Sequence, residues 1–170
     1  MTQNNRPFKC YLTDRFYNTL LAWRSDLCSR SGDLAQLRRY ATPKQALLDP
    51  NVIRLIHHLR AKGVFIKDCD FEKLATIAIV TALCREDVRK HSLGELLAGS
   101  DNNPVVSELR FRRLLEAGLQ SELLTQLRRI LGSLSYAFPI RDTARLIWCW
   151  PDEPDSADDS RHKLAMDYYQ

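Results

Sequence analysis

The chain has 170 residues, enough for one domain with a genuine core, and its 45% apolar and 27% charged content is ordinary for a water-soluble globular protein. Its 6 Gly and 7 Pro exclude low-complexity and collagen-like classes, and no uncharged run, Leu74–Cys84 among them, exceeds 11 residues, against the ~18 that a membrane span needs. The formal charge of +4 is unevenly spread: residues 151–170 carry −4, residues 1–150 carry +8, and arginine outnumbers lysine by a wide margin, a balance that favours a polyanion partner.

The opening Met1–Cys10 is polar and shows no basic-then-apolar leader, so the expectation is a cytoplasmic protein without a membrane. Thr13–Asp14 is a start signal for a helix whose apolar stripe is Phe16, Leu20, Trp23 and Leu27. After the Ser31–Gly32 break, Asp33 is expected to cap a short helix carrying Leu34, Leu37, Arg38 and Arg39. Thr42–Pro43 and Asp49–Pro50 are two cap-then-proline starts, and the second predicts a helix through Val52, Ile53, Leu55, Ile56 and Leu59 that Gly63 stops. Val64–Ile66 is the one stretch that reads as a strand, and a short one.

Asp70 opens the most apolar helix, through Leu74, Ile77, Ala78, Thr81 and Leu83; greasy on most faces, it is expected at the centre. Ser92–Ala98 is predicted as a short helix ended by Gly99. Pro104–Ala117 and Ser121–Leu131 are predicted as a helical hairpin around Gly118, with Ser121 as cap. Pro139 and Asp142 introduce a helix ending in Trp148 and Trp150, two tryptophans expected mainly in the core. An acidic Pro/Asp linker, 151–159, leads to a last amphipathic segment with Leu164, Met166, Tyr168 and Tyr169. The fold class is therefore all-α, a compact multi-helix domain over 8–170, with 8–100 and 101–170 as the candidate lobes.

No Gly-rich phosphate loop, GxSxG or HExxH is present, and the adjacent His57–His58 point about 100° apart on a helix, too far to chelate one metal from a single face. We expect no catalysis, no metal and no cofactor. The five cysteines, Cys10, Cys28, Cys69, Cys84 and Cys149, are scattered and odd in number, and are expected as reduced, mostly buried thiols. Paired arginine stands out instead. Arg38–Arg39, Arg112–Arg113 and Arg128–Arg129 each sit beside an apolar stripe, Arg110 shares a face with Arg113, and Arg89–Lys90 adds a basic loop. With no base-reading helix and no aromatic ladder evident, such residues suit phosphates rather than bases. From these residues alone, a stand-alone helical DNA-binding regulator and a protein-binding helical adaptor stay open.

The order of motifs adds a resemblance. Ala22–Ile56 (AWRSDLCSRSGDLAQLRRYATPKQALLDPNVIRLI), His91–Gly118 with its SLG-x-x-LA and SELRFRRLL blocks, Leu123–Leu134 (LLTQLRRILGSL) and Ala144–Trp150 (ARLIWCW) together resemble the CasB family, the small subunit of the type I-E CRISPR surveillance complex, Cascade. The resemblance implies an all-helical, non-enzymatic subunit in antiviral defence. Its implied partners are guide RNA, the target and displaced DNA strands, the backbone and large subunits of the complex and a second copy of itself. It implies backbone contacts that stabilise the R-loop without sequence preference. Carried onto this chain, the expected nucleic-acid-binding residues are Arg38, Arg39, Arg110, Arg112, Arg113, Arg128 and Arg129, with Arg110 and Arg128 foremost, and Arg89 and Lys90 beside them. Ser92, Leu93 and Gly94 are expected to be structural, as a cap and a close helix approach.

Overall fold

A computed structural model describes residues 12–100, 103–150 and 154–170, with only the backbone described over 154–159. Among the described residues, ten α-helices follow one another: α1 (Asp14–Cys28), α2 (Ser31–Arg39), α3 (Pro43–Ala46), α4 (Pro50–Ala61), α5 (Phe71–Leu83), α6 (Leu93–Ala98), α7 (Glu108–Leu115), α8 (Gln120–Ser133), α9 (Ile140–Trp148) and α10 (Pro154–Tyr168). The helix starts obey local chemistry. The side chains of Thr13, Thr42, Asp49 and Ser92 each accept a hydrogen bond from a backbone N–H in the first turn, and Pro43 and Pro50 occupy first-turn positions, where a missing N–H is harmless.

The ten residues Leu74–Leu83 of α5 are all buried, and α2, α3, α4, α8 and α9 pack around them. Each Leu or Ile so buried contributes about 1.5–3 kcal/mol relative to exposure, so α5 is the axis of a single core cluster that runs from Leu12 to Tyr168. Gly94 lets α6 and α10 meet at backbone distance: a Cβ there would lie 2.5 Å from Asp167 Cβ and 2.8 Å from the Leu164 carbonyl oxygen. The Ser92–Glu95 capping box starts α6 beside it. Among the described residues no helix is long and apolar enough to cross a membrane.

Several local expectations are corrected. Val64–Ile66 is not a strand; the described strands are β1 (Glu86–Asp87) and β2 (Ala137–Phe138), a parallel pair with Glu86 opposite Ala137 and Asp87 opposite Phe138. Asp33 is the third residue of α2, not its cap. Ser121 lies inside α8, where the Glu122 carboxylate instead accepts from the N–H groups of Gly118 (2.8 Å) and Leu119 (3.2 Å). Helix α7 starts four residues later than expected, and the segment before it is tied to α6 by the Val106 N–H, which donates to the Leu97 carbonyl. Helix α10 begins at Pro154, within the expected linker, with a proline and an aspartate at its opening positions. Of the cysteines, Cys84 is a buried free thiol, Cys28 and Cys69 are exposed, and Cys149 is disulfide-bonded, against the expectation of reduced, mostly buried thiols; Cys10 lies outside the described residues.

Candidate nucleic-acid interface

The last carbonyls of a helix have no intrahelical donors and carry the negative end of its dipole, so cations gather there. At the end of α5, Arg38 Nε donates to the Ala82 carbonyl (2.6 Å) and an Arg24 terminal nitrogen to that of Cys84 (3.0 Å). At the end of α2, Arg128 repeats the arrangement from α8: Nη1 donates to the Arg38 carbonyl (2.8 Å) and Nη2 to that of Tyr40 (2.5 Å). Arg128 is half-buried, and burial lowers its pKa from the ordinary guanidinium value, partly offset by Tyr136.

These bonds divide the Arg38–Arg39 and Arg128–Arg129 pairs by role. Adjacent helical residues point about 100° apart. Arg38 and Arg128 turn inward and are held by main-chain carbonyls, while Arg39 and Arg129 turn outward, exposed and without an acidic partner among the described residues. The Arg128–Arg38 bond places the two pairs side by side at the meeting of α2 and α8. Arg85 lies close by, its guanidinium 5.8 Å from the ring centre of Tyr136, whose carbonyl accepts the Arg85 N–H. Sequence reasoning did not single out Arg85 or Arg24; their positions are set by the end of α5, which no spacing within α1 reveals.

Helix α7 supplies the third group. Phe111 is fully buried and stacks on Tyr168 at 3.9 Å between ring centres, and Leu114 is buried beside it. With that face fixed, Arg110, Arg112 and Arg113 all point to solvent. Arg112 donates to the Glu108 carboxylate (2.6 Å), and its hydrogen bonds to Tyr169 and Glu108 raise its pKa. Arg110 and Arg113 have no partner among the described residues. In the loop after β1, Arg89 pairs with Asp87 at 2.9 Å, and Lys90 is exposed without an acid. Among the described residues no three His, Cys, Asp or Glu side chains converge to hold a metal, and His57 and His58 are exposed on α4. Trp150 is fully buried, its Nε1 donating to the Ala117 carbonyl. Among the described residues, the surface therefore offers four guanidinium groups without a partner, Arg39, Arg110, Arg113 and Arg129, on three helices locked to one core.

The family model for CRISPR-associated protein Cse2 matches residues 33–169, a span that includes Arg39, Arg110, Arg113 and Arg129. The chain belongs to the Cse2 family. A chain in the crystal structure of E. coli Cascade bound to a PAM-containing dsDNA target shares its fold, with a TM-score of 0.64 and 22% identity, over 90% of this chain and 93% of that one. Comparison with curated proteins finds no match. The Cse2 assignment agrees with the resemblance carried by the SLG-x-x-LA and SELRFRRLL blocks, which form α6 and α7 here.

Proposed function

We propose that this Cse2-family chain is a non-catalytic small subunit of a type I-E RNA-guided surveillance complex. In that role it binds nucleic-acid backbone without sequence preference and stabilises the guide–target heteroduplex and the displaced strand. The observation that carries the reading is the set of exposed guanidinium groups without any partner among the described residues, Arg39, Arg110, Arg113 and Arg129, presented by helices whose inner faces are fixed in the core. Arg112 and Arg89, each already paired with an acid, and Lys90 add further exposed cations, while Arg38 ties α2 to the end of α5 and Arg128 ties α8 to the end of α2. Exchange of a DNA duplex for an RNA–DNA hybrid is nearly balanced, so a few phosphate contacts are enough to tip it. The partners in this reading are guide RNA, both DNA strands, the other subunits of the complex and a second copy of the chain.

The test is binding of the purified chain to random-sequence single-stranded DNA, duplex DNA and RNA across a salt series. Four phosphate contacts give a slope of log K against log salt of about −3 on single strands. Substituting all four arginines by glutamine flattens it. A sequence-dependent affinity, or a slope unchanged in the fourfold variant, overturns the reading.

A further inference from the structure

A second concave surface is built from none of those residues. Helix α4 ends in a turn fixed by two bonds: the Gly63 N–H donates to the Arg60 carbonyl (2.9 Å) and the Val64 N–H to that of Leu59 (3.0 Å). This pairing requires a left-handed residue after the helix, and Gly63 supplies it with φ +75°. The turn throws Phe65 out of the fold, 80% exposed and without a ring contact among the described residues. Phe65 forms one side of an open cleft of about 630 Å³ whose other apolar walls are Leu12, Phe16, Val64 and Trp148. That size is in the range of small-ligand sites. Arg15 stands at its edge, its Nη1 donating to the Lys62 carbonyl (3.1 Å), while the nearby Asp14 is neutralised by Arg141.

The approach to the cleft is predominantly basic, with Arg60 paired to Asp68 at 3.4 Å and its other basic residues without an acid among the described residues. Residues 50–67 contain Arg54, His57, His58, Arg60, Lys62 and Lys67 and no acid, and all six of these side chains are exposed. Arg54, His58 and Lys62 recur every four residues, so they form a stripe along α4 that ends at the cleft. A flat exposed ring at the end of a stripe of hydrogen-bond donors that includes Arg54 and Lys62 is the chemistry of a single-stranded site, where cations follow the backbone and aromatic faces take bases. A duplex keeps its base faces stacked inside and has nothing to lay on Phe65.

We propose that this cleft binds single-stranded nucleic acid, one base stacking on Phe65 and its backbone phosphates following Arg15, Lys62, His58 and Arg54. The proposal deepens the nucleic-acid reading above and rests on it. The full-length chain is titrated with an oligothymidylate of about 15 nucleotides, with duplex DNA and with polyglutamate, following both anisotropy and tryptophan fluorescence. Trp23 and Trp150 are buried and Trp148 lines the cleft, so quenching reports the cleft.

The expected result is that Phe65→Ala weakens oligothymidylate binding at least about fivefold and removes the quench, leaving duplex binding unchanged. With its ring in solvent, Phe65 is replaceable without loss of fold. Unchanged oligothymidylate affinity in Phe65→Ala overturns the cleft assignment, as does polyglutamate binding as tight as that of the oligonucleotide. If Arg39→Gln/Arg129→Gln loses affinity and Phe65→Ala does not, the cleft falls and the phosphate surface stands. If the wild-type chain binds no nucleic acid, both fall.

Discussion

Replacing Arg128 by methionine keeps the aliphatic stem and removes both hydrogen bonds that join α8 to the end of α2, leaving the carbonyls of Arg38 and Tyr40 without their donor. A hydrogen bond from a charged donor contributes roughly 1.5–3 kcal/mol. Arg128 is only half-buried, so water recovers part of each loss, and the pair amounts to about 2 kcal/mol. For a chain of this length 1 kcal/mol moves Tm by about 2–4 °C, which gives an expected fall of about 4–8 °C. The neighbouring Arg129→Met removes an exposed, unpaired charge and stays within about 0.5 kcal/mol of the wild type. Thermal and urea denaturation followed by circular dichroism compare the two variants at equal concentration. Equal melting temperatures for the two would refute the division into an inner, joining arginine and an outer, presented one.

Gly94→Ala puts a methyl group 2.5 Å from Asp167 Cβ and 2.8 Å from a main-chain oxygen, so α6 and α10 must part. Overpacking of this kind costs about 1–3 kcal/mol, and an unchanged Tm would contradict the close approach. Burial, outweighing Arg24, pushes the Cys84 thiol up to about 11 from its ordinary 9.0, so the fold favours the neutral thiol. That contribution is complete below pH 9 and is lost as pH rises toward 11. The urea-midpoint difference between wild type and Cys84→Ala should therefore narrow over that window, and a pH-independent difference speaks against it. In native labelling at pH 8, Cys28 and Cys69 react with a maleimide while Cys84 stays protected.

Much of this architecture is legible locally. Caps at Thr13, Thr42, Asp49 and Ser92, stops at Gly63 and Gly99, and the unbroken apolar run of α5 all act within a few residues, and the structure uses each as sequence reasoning expects. The parallel β1–β2 pair is not legible, because two-residue strands carry no alternation and their partner lies about fifty residues away. Nor does the sequence distinguish Arg38 from Arg39, or Arg128 from Arg129. Each pair looks symmetric in sequence, and only contacts 44 and 90 residues distant turn one member inward. The basic composition pointed to a polyanion, but whether a cation is exposed depends on which helix end stands next to it.

Helix α7 is eight residues long, well below the length at which an isolated helix holds together in water. Its shape is borrowed: Phe111 lies against the Tyr168 ring, and the Tyr168 hydroxyl donates to the Val106 carbonyl (2.6 Å), so the last helix clamps the start of α7. The spacing of Arg110 and Arg113 is thus set before any ligand arrives, by an aromatic contact on the opposite side of the helix. A chain whose cations are already fixed in place loses less entropy when it meets a phosphate array than one that must first wind a helix. Loosening Tyr168 would leave every arginine in place chemically and still blunt the surface, by returning that ordering cost to the binding step.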